Sequence, residues 1–477
     1  MTEKRDLPAP AELAAFRAAL RREFRNLFER RPITVVRVPA RLDVMGGIAD
    51  YSGAHVCEYP LAHGAVLGIQ KRRDRRVHIT SAGIEKHNYA NHFETTLDAF
   101  YRGGRLLAYR DICRNLPPDE QHAWAAYVVG TIFVLLKEQK VAALSRGFNI
   151  GLLSHVPMNV GIGSSATVEV ATLYGLDQLL DLRLEPLELA RLGQVTENRV
   201  VGAPCGIMDQ ITVACGVQRR LLHIICDPAT IAGTAEVPDF CAFAGINSMV
   251  KHSVGGAKYT DVRVATFMGR KIIFDRLRET GRLRRDEQPF GGHLANVPPE
   301  DYARLYRSWL PEQLTGADFL KRYGSTEDPV AAVVPEKTYR VESCASHPIG
   351  ESARVQRFLS CVVQARLTGQ RDFLVEAGEL MYAAHRSYAV KCSLSCPEVD
   401  FLVETARRLG VREGVYGAKI TGGGSGGTVA VLAEKDRLAA ATEKIVDAYR
   451  REYGLRADVF TGSSPGAYAF GSAKISP

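Results

Sequence analysis

Apolar and polar positions along the 477-residue chain predict strands and helices interleaved from end to end. Residues 34–38 (TVVRV) and 54–59 read as two strands flanking a loop, and residues 148–153 alternate as a third. From residue 166 onward Val168, Ala171, Gly175, Leu176, Leu179 and Leu180 recur near helical spacing. That pattern predicts an amphipathic helix opening on a Ser-Ser step suited to capping. Pro186 suits the first turn of a second helix, which would run to about residue 201 and hold Glu197 near its end. Residues 241–250 and 429–432 read as strands, 437–453 as a helix, and the polar, Gly/Pro-rich stretch 281–300 as a loop or insertion. The mixture means α+β or α/β.

The longest apolar run, residues 127–136, is about half of what a membrane-spanning helix requires. Apolar residues make up 46% and charged residues 24% of the chain, which excludes disorder as the main state. The length suggests two or three domains. Lys and Arg number 61 against 53 Asp and Glu, a net charge of +8 that fits an anionic ligand without demanding nucleic acid. The Arg-rich stretch 276–285 is interleaved or flanked by Asp275, Glu279, Asp286 and Glu287, as on a solvated face. The ten cysteines contain no C-x-x-C pair and read as reduced thiols. No apolar segment precedes the arginines of the amino terminus, so the expected location is the cytoplasm, with no membrane partner.

Three glycine-rich spots, near residues 46, 161 and 424, lie far apart in sequence and each beside a strand-like run. Loops of this kind converge on one ligand from different parts of a fold. Residues 157–166 (PMNVGIGSSA) set two glycines and two serines directly before a helix, where free N–H groups and the helix dipole favour a polyphosphate. The same residues satisfy a relaxed dinucleotide pattern, Gly161-x-Gly163-x-x-Ala166, with Asp181 downstream. A dinucleotide loop follows its strand directly, however, whereas residues 154–160 intervene here, with Pro157 among them. No Walker-type Gly-x-x-x-x-Gly-Lys-[Ser/Thr] is found. A glycine-rich turn capped by Ser164, without ligand, is the remaining alternative.

Residues 157–166 resemble the second motif of the GHMP kinases, the superfamily of galactokinase, homoserine kinase and mevalonate kinase. Residues 39–52 (PARLDVMGGIADYS) are similar to the first motif of its sugar kinases and residues 416–427 (YGAKITGGGSGG) to the third. Residues 202–210 (GAPCGIMDQ) resemble the galactokinase segment that ends in a catalytic aspartate. Within the family the likeness runs to the plant L-arabinokinase branch through residues 44–53, 252–256 (HSVGG), 347–349 (HPI) and 462–466 (GSSPG). The resemblance implies an α+β, two-domain GHMP kinase fold with its active site in the cleft between an N-terminal domain (1–235) and a C-terminal domain (236–477). It implies an ATP- and Mg²⁺-dependent sugar kinase acting on the anomeric hydroxyl of a pyranose.

The same likeness assigns candidate roles. Asp209 would accept the proton of the attacking hydroxyl and Arg41 would stabilise the growing charge. Gly161, Gly163, Ser164, Ser165, Ala166, Gly423 and Gly424 would bind ATP, with Trp124 and Tyr127 near adenine. Ser164 or Ser165 would hold Mg²⁺ with Glu197. Taken alone, Glu197 reads as a solvated helix carboxylate, Arg41 as half of a surface ion pair, Asp209 as a helix-start acid, and Trp124 and Tyr127 equally as core. Asp50, Tyr51, Gly47, Ile48 and Tyr259 would contact the sugar. Galactokinases carry a Glu-His pair where this chain has Gly47-Ile48, and the loss of a carboxylate points to a pentose, L-arabinose, ahead of galactose or a uronic acid. The alternative is a tight turn at Gly46-Gly47 with Ile48 packed inward. Lys251 replaces the family's Arg before His-Ser. A galactokinase-like sugar sensor without turnover is the reading from another class.

Overall fold

The computed structural model describes residues 11–116, 119–250, 257–282 and 287–477. Its first sheet is built on two long neighbours, β1 (Ile33–Met45) and β2 (His55–Lys71), paired antiparallel. Both outrun the strands read from sequence. The first apolar run breaks at Pro39, Arg41 and Asp43 and the second at Pro60, yet these residues stay in the ladder and are buried with it. Strands β3 (Arg76–Ala82), β4 (His92–Thr96) and β5 (Phe148–Ser154) extend the sheet beyond the second half of β2. Strands β6 (Arg220–Ile225) and β7 (Thr230–Glu236) extend it beyond the first half.

The helices that accompany this sheet include α1 (Ala125–Lys137), α2 (Ser164–Leu180), α3 (Pro186–Val195) and α4 (Met208–Cys215). The apolar run at 127–136 is therefore a buried core helix, its Thr131 hydroxyl satisfied by the Val128 carbonyl. Among the described residues no helix is long and apolar enough to cross a membrane. Helix α2 lies on β1 and β2. Its start is thus fixed against the strand that carries Arg41.

The second sheet comprises β8 (Cys241–Asn247), β9 (Val415–Ile420), β10 (Thr428–Glu434) and β11 (Val459–Thr461), ordered β9-β10-β8-β11 and antiparallel throughout. Helices α5 (Ala257–Glu279), α6 (Val341–Thr368), α7 (Asp372–Ser387), α8 (Pro397–Leu409) and α9 (Leu438–Tyr453) surround it. The last strand, Ser472–Ile475, crosses back to pair with Ile33–Val36 of β1. A division into 1–235 and 236–477 therefore leaves that strand on the wrong side.

One apolar cluster is shared by the two halves: Leu42 and Ile162 from the first pack with Phe358, Met381 and Leu432 from the second. Fully burying each such side chain is worth about 1.5–3 kcal/mol, so the cleft is braced along its floor. In the stretch read as a loop or insertion at 281–300, the residues around 293–295 are anchored. Ala295 packs with Ala49 and Ala54, and the His293 ring lies so near Gly53 that a Cβ there would come within 2.5 Å of it.

Candidate active site

The loop between β5 and α2 turns on two left-handed glycines, Gly161 and Gly163, both at φ 77°. Gly163 is itself the N-cap of α2 and no side chain caps the helix, contrary to the sequence expectation for Ser164. The Ser164 and Ser165 hydroxyls are left facing a cavity of about 560 Å³, beside the uncapped first-turn N–H groups. Ala166 lies fully buried beneath this turn and does not line the cavity.

Arg41 reaches the same place from β1. Its Nε and Nη2 donate to the two carboxylate oxygens of Asp209, each at 2.7 Å, and its Nη1 donates to the Gly161 carbonyl at 2.5 Å. One guanidinium thus ties the carboxylate at the start of α4 to the glycine loop. This is no surface ion pair, because the Arg41 side chain is only 3% exposed. Burial works against its charge, but Asp209 and then Glu58 more than offset this and raise its pKa. Glu58 stands 3.6 Å from Arg41 with neither oxygen hydrogen-bonded, and burial pushes its carboxyl well above the usual range.

Glu197 lies in a π-helical turn, Thr196–Val201, that follows α3. Such turns widen the helix and recur at functional sites. The side chain is buried rather than solvated, and its Oε2 accepts from the Gln210 amide at 2.8 Å. Burial, then the charge of Asp209, push Glu197 up to about 7, while hydrogen bonds from Ser165, Cys205 and Gln210 pull it back. The same Gln210 amide donates to Glu169 at 3.1 Å, whose other oxygen is buried without a partner. Two carboxylates that share one amide, one with an orphaned oxygen, and an adjacent hydroxyl form a donor set suited to a hard dication. Mg²⁺ takes one or two carboxylates and completes its shell with water and phosphate oxygens. The residues present fit it.

The third glycine cluster closes on the loop backbone to backbone. Thr428 Oγ1 donates to the Val160 carbonyl at 2.7 Å, and a Cβ on Gly427 would lie 2.8 Å from that oxygen. Gly422 and Gly423 line the cavity. Gly424 does not: it is turned against the Leu394 carbonyl. Trp124 and Tyr127 both border the cavity, the Trp124 indole donating to the Ala90 carbonyl at 2.8 Å while it also belongs to the first-sheet core.

At the opposite end, Gly47, Ile48, Asp50 and Tyr259 line the cavity. Asp50 has one buried oxygen without a partner, and burial, then Asp209, push its carboxyl up to about 8 against the pull of Arg263. Raised in this way, its carboxyl is favoured in the protonated form, which can both donate to and accept from a ligand hydroxyl. Gly206 admits it: a Cβ there would fall 1.8 Å from the carboxylate. Tyr51, expected at the ligand, does not line the cavity. Its hydroxyl meets Thr266 Oγ1 at 3.4 Å, its ring packs edge-on to Tyr259, and Arg263 lies over it. Arg263 is held in turn by a two-bond fork to buried Asp328. Lys251 and residues 252–256 lie outside the described residues.

Several members of the site carried no role in the sequence reading. Asp43, fully buried, accepts from the Lys419 ammonium at 2.9 Å, the Gly422 N–H at 2.9 Å and the Gly47 N–H at 3.1 Å. It thereby joins the first and third glycine clusters. Glu169 stands four residues after Ser165, so helical spacing places both on one face and could have marked it. Gln210, next to Asp209, offered no such signal.

The models of the GHMP kinases N-terminal domain and C-terminal domain match residues 126–217 and 370–451. The L-arabinokinase of Arabidopsis thaliana is 35% identical over 490 residues, covering 93% of this chain but 47% of its own length, so the chain spans about half of that relative. The galactokinase of Actinobacillus succinogenes is 27% identical over 91% of this chain and 94% of its own. Among solved structures, Lactococcus lactis galactokinase complexed with galactose superposes with a TM-score of 0.72 at 23% identity, over 96% of this chain and all of that one. Both family models fall in the expected order, one on the phosphate-loop half and one on the third glycine cluster, around the two-sheet fold that galactokinase shares: the chain belongs to the GHMP kinases.

Proposed function

We propose that this protein is an ATP-dependent sugar kinase that phosphorylates the anomeric hydroxyl of a pyranose, converting L-arabinose to L-arabinose 1-phosphate. The observation that carries the reading is the two-bond fork between Arg41 and Asp209, tied through Arg41 to the Gly161 carbonyl and opening on the cavity that also holds Asp50. A carboxylate that can take a hydroxyl proton and a guanidinium that can meet the charge left behind stand between a sugar-sized corner and a phosphate-binding turn.

In this reading the N–H groups around Gly161, Gly163, Ser164, Ser165 and Ala166 receive the ATP phosphates. Gly422 and Gly423 close over them, Gly424 being turned away, and Trp124 borders the base. Ser165 and Glu197, with Ser164 beside them, hold the metal. When bound, Mg²⁺ neutralises charge across the phosphates of the nucleotide. Asp209 accepts the proton from the anomeric hydroxyl, that oxygen takes the γ-phosphoryl group, and ADP leaves. Asp50 and Tyr259 hold ring hydroxyls. Ten free cysteines support a reducing, cytoplasmic setting.

The sugar assignment rests on the corner formed by Gly47 and Ile48, neither of which carries a side-chain donor or acceptor. An exocyclic hydroxyl buried there unpaired would lose about 1–3 kcal/mol, roughly ten- to a hundredfold in kcat/KM, and β-L-arabinopyranose has the galactose ring without that group. The relative named L-arabinokinase agrees with this choice. D-Galactose is the second reading, favoured by relatives named galactokinase that are matched over almost their full length. An ADP-release assay with L-arabinose, D-galactose, D-glucuronate and D-galacturonate tests the proposal. L-Arabinose should give the highest kcat/KM. A preference for a hexose or a uronic acid rejects the pentose, and binding of sugar and nucleotide without ADP release rejects the kinase in favour of a sensor.

A further inference from the structure

Behind the sugar corner the main chain of Gly46, Gly47 and Ile48 has none of its N–H groups free for a ligand. Gly46 donates to Glu351 Oε1 at 3.2 Å, Gly47 to Asp43 Oδ1 at 3.1 Å, and Ile48 to the hydroxyl of Tyr388 at 2.7 Å. All three acceptors are buried. Two come from helical segments of the second half, although the turn itself belongs to the first.

Tyr388 does the most. Besides accepting from Ile48, its hydroxyl donates to the Gly422 carbonyl at 3.0 Å, so both its hydrogen-bonding capacities are spent on backbone of the first and third glycine clusters. The same oxygen occupies the space of a side chain at position 47: a Cβ there would lie 1.4 Å from it. The ring is fixed by the Lys419 ammonium 5.3 Å from its centroid and by His347 edge-on at 5.2 Å. His347 Nδ1 is in turn within 2.8 Å of the Ser387 hydroxyl. This gives the His-Pro-Ile stretch at 347–349, singled out in the sequence, a place in the molecule. It backs the tyrosine that backs the turn.

We propose that Tyr388 is the positioning residue that sets the sugar specificity of the site, acting through Gly47 and Ile48 without itself lining the cavity. By taking the Ile48 N–H and excluding any side chain at position 47, its hydroxyl leaves the corner without a donor or acceptor for a polar substituent on the sugar ring. The inference rests on the sugar-kinase reading and deepens it. What it adds is that discrimination against a ring bearing an exocyclic hydroxymethyl group is imposed from the second half of the chain by one phenol oxygen.

Tyr388→Phe keeps the ring between Lys419 and His347 and deletes only that oxygen. The Ile48 N–H is then unpaired and free to donate to a substrate hydroxyl oxygen, and the discrimination relaxes by the worth of one hydrogen bond. The ratio of kcat/KM for D-galactose over L-arabinose is expected to rise about tenfold, mainly through the KM for galactose, with affinity for ADP unchanged. Tyr388→Leu, which also opens volume beside Gly47, should raise the ratio further. If both sugars lose activity by the same factor, or if the ratio stays within twofold of wild type while ADP affinity is retained, Tyr388 is structural only and the inference is overturned. ADP affinity and melting temperature measured on each variant separate these results from misfolding. A wild-type enzyme that favours a hexose overturns the pentose assignment instead, and the shift between wild type and Tyr388→Phe reads the role of Tyr388 in either case.

Discussion

Asp209→Asn is the substitution on which the proposed chemistry turns. In the structure two 2.7 Å bonds run from Arg41 to the Asp209 carboxylate. Asparagine keeps one acceptor but presents its amide NH₂ to the other guanidinium N–H, so one charge-assisted bond is lost and a donor faces a donor. The base is lost as well, and removing a positioned base lowers rates by about 10²–10⁴. The expected fall in kcat is therefore at least a hundredfold, about 2.7 kcal/mol in barrier height. Stability should change much less. Asp209 raises the pKa of both Asp50 and Glu197, and neutralising it relieves that repulsion, offsetting the weakened fork. The assay is steady-state ADP release beside an ADP binding isotherm and a melting curve. Loss of turnover with nucleotide affinity kept within about threefold is the expected result. A variant that retains more than a tenth of wild-type kcat would refute Asp209 as the proton acceptor.

Glu197→Gln should raise the Mg²⁺ concentration giving half-maximal rate by at least about tenfold, the scale of losing a metal-binding carboxylate, seen in a Mg²⁺ titration at saturating nucleotide. Lys419→Met strands the buried Asp43 carboxylate without its cation and should destabilise the fold by about 3–5 kcal/mol in denaturant unfolding, with part of the loss recovered in Asp43→Asn/Lys419→Met. Asp50, held near pKa 8 when folded against 3.8 ordinarily, stabilises the fold fully below the lower value and loses that contribution as pH rises through the upper one. Ligand-free wild type should therefore lose about 2 kcal/mol or more relative to Asp50→Asn between pH 5 and pH 8, read from paired unfolding curves. Gly206→Ala should raise the KM for sugar at least tenfold and leave ADP affinity intact, since its methyl group would occupy the space of the Asp50 carboxylate.

Much of the site could be read from the chain because its contacts are made by backbone. Glycines at 161, 163 and 422–427 announce loops that approach something closely, and the helix after Ser165 follows from apolar spacing. The Arg41–Asp209 pair was identifiable only by likeness to a family, since neither residue alone differs from an ordinary charged residue. Asp43, Lys419 and Tyr388 were silent for a different reason. Each acts by tertiary contact across more than 300 residues, and no local pattern encodes a partner that distant. Strand lengths were underestimated where a proline or a buried charge broke the apolar run, as at Pro39, Arg41 and Pro60. Tyr51 stands away from the cavity because adjacency to Asp50 says nothing about direction: the two side chains leave a short 3₁₀ turn, Gly47–Ser52, towards different neighbours.

The Asp43–Lys419 ion pair has a consequence for how the folded protein comes into being. Synthesis delivers the carboxylate early and its counter-cation 376 positions later. Until β9 arrives, the nascent first half holds an acid that has every reason to remain in water, and the turn at Gly47 has no floor. A polypeptide severed anywhere between the two should yield halves that stay open and inert until they meet, which makes this fold a natural candidate for reassembly from two complementary pieces.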